Sequence, residues 1–143
     1  MTKDTKIEIE RASISLPKLL LEKFDELIIK KGYANRSEAF RDLIRNLLIE
    51  EEWNENAEIV ATVTLIYNHH ASNLLDKLTD IEHEGIGKII STMHIHIDAE
   101  NCLEVICLKG NASDVKQTGD KLISLKGIKY GKIVKATTGK EID

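Results

Sequence analysis

Residues 87–109 read GKIISTMHIHIDAENCLEVICLK. Two apolar-rich runs, 87–97 and 102–109, flank Asp98-Ala99-Glu100-Asn101, whose Asp and Asn ends suit a tight turn. Strands joined by so short a turn pair antiparallel with no helix between them. Upstream, residues 58–67 (EIVATVTLIY) are predicted to form a strand and 71–83 a helix with Leu74, Leu75, Leu78 and Ile81 on its apolar side. Downstream, 111–125 reads as a helix with Val115, Leu122 and Ile123 inward, and 128–136 as a last strand.

The resulting order, βαββαβ, is the split, ferredoxin-like arrangement. Regulatory ligand-binding modules of the ACT type share it, a likeness of fold that carries no information about a ligand.

The hairpin also carries chemistry. On a strand, His94 and His96 share one face while Met93, Ile95 and Ile97 take the other. Cys102 joins the two imidazoles if the pairing sets residue 96 opposite an even-numbered neighbour such as 102 or 104. If 97 pairs with 102 instead, the thiol faces away unless a bulge intervenes. His83, near the end of the preceding helix, is the candidate for a fourth position. Such a donor set serves zinc in a tetrahedron, or nickel(II) or copper(II) in a square plane, and the ligand types alone do not choose. Glu104 shares the face of Cys102 and is expected to accept an imidazole N–H. Cys107 has the opposite parity, so it reads as a small core residue, and a disulfide with Cys102 is not expected. His69 and His70, where the first strand meets its helix, read as solvated loop residues rather than a second metal site.

The first fifty residues have a different rhythm. Residues 9–16 (IERASISL) alternate, with Ala12, Ile14 and Leu16 on one side and Arg11, Ser13 and Ser15 on the other. Pro17 opens a helix whose Leu20, Phe24, Leu27 and Ile28 recur at helical spacing until Gly32 stops it. Asn35 then caps a second helix, with Glu38 placed to reach back to the cap amide. Phe40, Leu43, Ile44, Leu47 and Leu48 form its stripe to about residue 52. One strand cannot satisfy its own backbone, and two helices bury too little to fold alone, so a second copy must pair with the first. A strand–helix–helix of this kind resembles the ribbon-helix-helix DNA-binding family, whose two-stranded ribbon enters the major groove.

The fold expected is therefore α+β: a ribbon-helix-helix (βαα) domain over residues 1–53, a linker at 54–57 and an ACT-like βαββαβ domain over 58–143. At 143 residues with 42% hydrophobic content, two small cores are affordable. The net charge of −4 argues against nonspecific coating of nucleic acid, but residues 3–45 hold ten Lys/Arg against eight Asp/Glu, so any DNA contact is a local patch. Glu50, Glu51 and Glu52 read as a solvated helix end. No apolar run approaches the roughly eighteen residues a membrane helix needs. The opening MTKDTKIEIE is polar, so no secretory signal is expected and the protein reads as cytoplasmic and reduced.

The spacing H-x10-H-x-H-x5-C of His83, His94, His96 and Cys102, downstream of a ribbon-helix-helix, resembles the nickel-responsive NikR repressors. The stretch HIHIDAENCLEVICLKG is especially similar, and the likeness spans about residues 9–137. It implies one nickel per subunit, held in a square plane by His94, His96 and Cys102 with His83 from a neighbouring subunit. It also implies a homotetramer, two DNA-binding dimers joined through four metal-binding domains, that binds a palindromic operator when metal-loaded. Arg11, Ser13 and Ser15 match the positions that read bases, where the hydroxyl residues of relatives are often threonine. Asn35, Arg36 and Ser37 match the helix start that holds phosphate. Glu38 and Asp42 match carboxylates that hold a potassium ion in some relatives. Ala71 and Ser72 depart from the pattern, standing where some relatives place basic residues against the DNA backbone.

No nucleophile with its base, glycine-rich phosphate loop or open catalytic metal position is recognisable, so a non-enzymatic regulator is expected. Two other readings share the pattern: a ribbon-helix-helix regulator sensing a small molecule through its ACT-like domain, and a metal storage or delivery protein.

Overall fold

In a computed structural model of the chain, residues 8–71, 73–84 and 88–142 are described, apart from the side chains of residues 75, 82 and 88. The first seven residues of the expected DNA-binding domain, Ser72, residues 85–87 and Asp143 lie outside the described residues.

The contacts divide the chain within its second helix, one unit holding residues up to Leu47 together with Ile142, the other running from Leu48 to Glu141. In the first unit, helix α1 spans Lys18–Lys30 and α2 begins at Arg36 and runs to Asn54. Gly32, at φ +83°, ends α1 as the spacing predicts: its amide donates to Ile29 O at 3.0 Å and that of Tyr33 to Ile28 O at 3.0 Å, the paired bonds of a Schellman stop. Asn35 caps α2 through Oδ1, which accepts the Glu38 amide at 3.0 Å. The return half of that box does not form, because Glu38 instead pairs with Arg41 at 2.7 Å. Phe24 and Phe40 stack with ring centres 4.8 Å apart and tie the helices together. Residues 8–17 take up neither helix nor strand, where a strand is expected over 9–16. The physical reason is the one anticipated: a single strand finds no ladder partner within its own chain.

The second unit is a four-stranded antiparallel sheet, order β2-β3-β1-β4, built from β1 (Glu58–Asn68), β2 (Lys88–His96), β3 (Asn101–Asn111) and β4 (Ile128–Lys135). Helices α3 (Leu74–His83) and α4 (Ala112–Ile123) follow β1 and β3. Strand β1 alternates as its sequence does: Ile59, Ala61, Val63, Leu65 and Tyr67 are fully buried beneath the helices, and their neighbours are half-buried on the other face. Leu74 and Leu78 of α3 and Val115 and Leu122 of α4 complete this core. Helix α4 lies close because position 119 is glycine; a Cβ there would stand 2.8 Å from Ile133 Cδ1.

The expected linker is tied down. Trp53, at the end of α2, is buried in the sheet core and donates from Nε1 to Ala136 O at 3.0 Å. Asn56 accepts the Ser113 amide at 2.7 Å on Oδ1, serving as a remote cap for α4. Cys107 corrects its expectation: it is half-buried on the face away from the helices, because the core side of β3 is taken by Cys102, Glu104, Ile106 and Leu108. Among the described residues no helix is long and apolar enough to cross a membrane.

Candidate metal centre

The hairpin register decides what the histidines meet. His96 lies opposite Cys102 and His94 opposite Glu104, so all four side chains share one face. The irregularity in this pairing falls far from them, between Ile89 and Ser91. Across β3, Cys102 stands beside Tyr67 and Glu104 beside Leu65 of β1. Cys102 and Glu104 are buried, whereas His94 and His96 are exposed because β2 is an edge strand beyond the cover of the helices.

The turn that sets this register is built by Asp98. Its carboxylate accepts the amides of Glu100 at 2.8 Å and Asn101 at 2.7 Å, and also the Asn101 side-chain amide. The Asn101 side chain first, then the two backbone amides, hold the Asp98 carboxyl down to about 2, with Lys129 assisting. The Glu100 carbonyl accepts the His69 amide at 3.1 Å and so docks the turn on the end of β1.

Cys102 Sγ and His96 Nδ1 are 3.4 Å apart, and the rings of His94 and His96 are centred 5.0 Å apart. His94 is held from behind. Tyr67 gives its single hydroxyl proton to Glu104 Oε2 at 2.7 Å, so its 3.3 Å contact with His94 Nδ1 is donated by the imidazole. That tautomer leaves Nε2 of His94 with the lone pair. Glu104 was expected to accept an imidazole N–H directly; the hydroxyl of Tyr67 stands between them and relays the contact. Imidazole and thiol on one face are donor types that fit nickel or zinc once the thiol proton is displaced, although the donor atoms of His94 do not converge with those of His96 and Cys102.

His83, the last residue of α3, is exposed. Among the described residues, the group of three His, Cys, Asp or Glu side chains whose donor atoms converge is His69, His96 and Cys102, all within 4.8 Å of one another. His70 is exposed, as a loop residue should be, but His69 is half-buried and corrects its expectation: its ring is centred 5.5 Å from that of His96. Tyr67 carries a signal that residue-by-residue reading passes over. A tyrosine on the buried side of an apolar strand needs a polar partner for its hydroxyl.

In the helical unit, Arg11, Ser13 and Ser15 are exposed, as are Asn35, Arg36 and Ser37 at the start of α2. Arg36 is engaged, its guanidinium binding the Asp25 carboxylate through two bonds of 2.6 and 2.7 Å and holding that carboxyl below its usual range. The carboxylates of Glu38 and Asp42 do not face a common point: the first pairs with Arg41, and the second accepts from Tyr33 Oη at 2.9 Å and Arg45 at 3.4 Å.

Residues 60–136 match the family described as the NikR C terminal nickel binding domain, and residues 10–51 match the ribbon-helix-helix protein, copG family. A nickel-responsive regulator of Pyrococcus horikoshii is 51% identical over 137 residues, covering 95% of this chain and 99% of its own. One of Geotalea uraniireducens is 54% identical over 136 residues, covering 94% and 98%. Among solved structures, the ACT domain of a Chlorobium tepidum GTP pyrophosphokinase aligns at 12% identity with a TM-score of 0.45, covering 55% of this chain and 100% of that one. The two family matches follow one another along the chain and the relatives align over nearly their full length, so the chain belongs to the NikR family of nickel-responsive regulators, with a ribbon-helix-helix DNA-binding domain ahead of a C-terminal nickel-binding domain.

Proposed function

We propose that this protein is a cytoplasmic, non-enzymatic repressor of nickel uptake that binds a palindromic operator when loaded with nickel. The observation that carries the reading is the register of the hairpin: His94 and His96, exposed on the edge strand β2, share a face with the buried Cys102 of the neighbouring strand β3. Those three side chains would hold the ion, with His83 of a neighbouring protomer completing the set, one nickel per protomer in a homotetramer. Bound nickel supplies one strong tie between two chains. Because His83 and the other donors belong to different protomers, loading favours the assembled arrangement over looser ones, which is the differential contact allostery requires.

The ribbon face of Arg11, Ser13 and Ser15 reads bases, with the amides at the start of α2 and the side chains of Asn35 and Ser37 on phosphate. Arg36 contributes to phosphate binding only by releasing Asp25, to which it is bonded in the free chain. A potassium ion at Glu38 and Asp42 likewise requires Arg41, Tyr33 and Arg45 to give way.

The test is a binding assay with a long duplex selected for affinity, run with and without nickel. Tight binding is expected only with nickel, and equal affinity in both conditions overturns the reading. In the loaded protein Arg11→Ala costs about 1–3 kcal/mol if the guanidinium reads a guanine edge, and relaxes sequence preference along with affinity.

A further inference from the structure

We infer that Lys129 is a positioning residue of the metal centre: from a bulge in β4 it reaches across β1 to Asn101 and holds the turn from which Cys102 faces His96. The inference rests on the donor set proposed above, in which His94, His96 and Cys102 take nickel.

The register of β4 explains how a lysine two strands from the hairpin turn arrives there. Gly131 lies opposite Leu65 and Ile133 opposite Val63, on the side buried beneath the helices. Unbroken alternation would carry Lys129 to that same side. Instead Tyr130 pairs with Ile66 and Ile128 with Tyr67, so Lys129 is the extra residue of a bulge and is released from the alternation. Its side chain then spans β1, the strand between β4 and β3, and Nζ donates to Asn101 Oδ1 at 2.6 Å. A bulge that re-aims one side chain at a polar partner beside a donor cluster is more than a solvated edge charge requires.

Asn101 is the point at which the turn can be gripped. Its backbone and side-chain amides donate to Asp98, and its carbonyl accepts the amides of Ile97 at 2.8 Å and Asp98 at 3.3 Å. Those bonds all close within the turn. The side-chain oxygen is the group that meets an outside donor, and the ammonium of Lys129 supplies a charge-assisted bond. Cys102 follows directly, with its Sγ 3.4 Å from His96 Nδ1 on the other arm of the hairpin. Holding Asn101 from β4 therefore holds the strand end that presents the thiol. A protonated lysine has no lone pair to offer an ion, so Lys129 acts through Asn101 and not as a ligand.

The experiment compares wild type, Lys129→Met and Lys129→Arg in the full-length protein, with Lys132→Met, which removes a charge from the same strand, as the control. Chelator competition measures nickel affinity, and the sulfur-to-nickel absorption band reports ligation by Cys102. Amide exchange at Asn101, relative to Val63 in the core, follows the turn in the metal-free protein. Lys129→Met is expected to weaken nickel about three- to tenfold and to speed relative exchange at Asn101 by a similar factor, modest effects because the lysine is exposed. Lys129→Arg, which keeps charge and reach, should restore both, and Lys132→Met should change neither. Unchanged nickel affinity in Lys129→Met overturns the inference, whether or not exchange quickens. An equal loss in Lys132→Met overturns it too, since the effect would then be one of net charge. Should wild type show no sulfur-to-nickel band, the proposed donor set fails and this inference with it; a band in wild type that Lys129→Met leaves intact at full nickel affinity sinks the inference alone.

Discussion

In the sheet unit Ile59, Val63, Leu65, Leu108, Val115 and Leu122 are all fully buried, whereas in the helical unit Leu27 is 48% exposed, Leu43 55%, Ile44 57% and Leu47 72%. Both groups are apolar rows on regular elements, at a period of two on the strands and of about 3.6 on the helices, so the difference lies in what each row is given to pack against. The sheet supplies its own partner helices. The helical unit buries Ile28 and Ala39 and stacks two phenylalanines, then leaves its longest apolar row uncovered. Fully covering a large aliphatic side chain is worth about 1.5–3 kcal/mol, so four residues still about half exposed keep a sizeable part of that stabilisation in reserve for a partner surface. The sheet unit completes the core beneath its helices within one chain, while Met93, Ile95, Ile97, Tyr130 and Val134 stay exposed. The helical unit leaves most of its apolar stripe open, in keeping with the partner that a strand over residues 9–16 is expected to need.

That contrast is broken most sharply by truncating one leucine on each side. Leu65→Ala, in the sheet core, should cost about 2–5 kcal/mol through lost transfer energy and a residual cavity. The loss should be the same at every protein concentration. Leu43→Ala should act through assembly, its effect on the unfolding midpoint growing as the protein is diluted. Denaturant unfolding at two widely separated concentrations measures both. A concentration-independent penalty at Leu43 would mean that no second copy covers the helical stripe.

A smaller effect is expected where the sheet unit meets the metal centre. Tyr67→Phe removes the hydroxyl that satisfies the buried Glu104 carboxylate and takes the His94 N–H. Leaving those groups unpaired should cost about 1–3 kcal/mol in stability. Losing the fixed tautomer of His94 should weaken nickel by roughly 10–100-fold. Thermal unfolding of the metal-free protein and a chelator competition separate the two. A stability loss with intact nickel affinity would make Tyr67 a core residue and nothing more.

Much of this was legible in the chain. The period of two in β1, the helical spacing of Leu74 and Leu78, and the Asn35 and Gly32 punctuation are local signals, and local structure follows them. The parity of His94 and His96 is equally local. Whether Cys102 joins them is not, because it depends on how many residues the turn consumes, and Asp98 decides that by hydrogen bonds no periodicity reveals. His69 escaped for a related reason. Its meeting with His96 and Cys102 comes from the adjacency of β1 and β3 and from a backbone bond to Glu100, both between residues remote in sequence. Asn56 and Trp53 read as a linker and the end of a helix; their partners, Ser113 and Ala136, lie far along the chain.

The smallest effect belongs to the turn itself. The Asp98 carboxyl is held to about 2, below its ordinary value of 3.8, by bonds that favour its charged form. A carboxyl whose folded value is depressed contributes stability in full above its unfolded value, and loses that contribution as the pH falls through its folded value. Wild type and Asp98→Ala should therefore differ in melting temperature at neutral pH and converge between pH 3.8 and about 2. The gap should be small, because the group is exposed and water competes for its bonds. Metal binding gives the same residue a second readout: with the turn loosened, Cys102 is no longer pinned opposite His96, so nickel affinity should fall at neutral pH. A gap that persists undiminished at pH 2 would show that the turn is set by its shape and not by the Asp98 charge. The register, and with it the meeting of His96 and Cys102, would then be a property of the sheet alone.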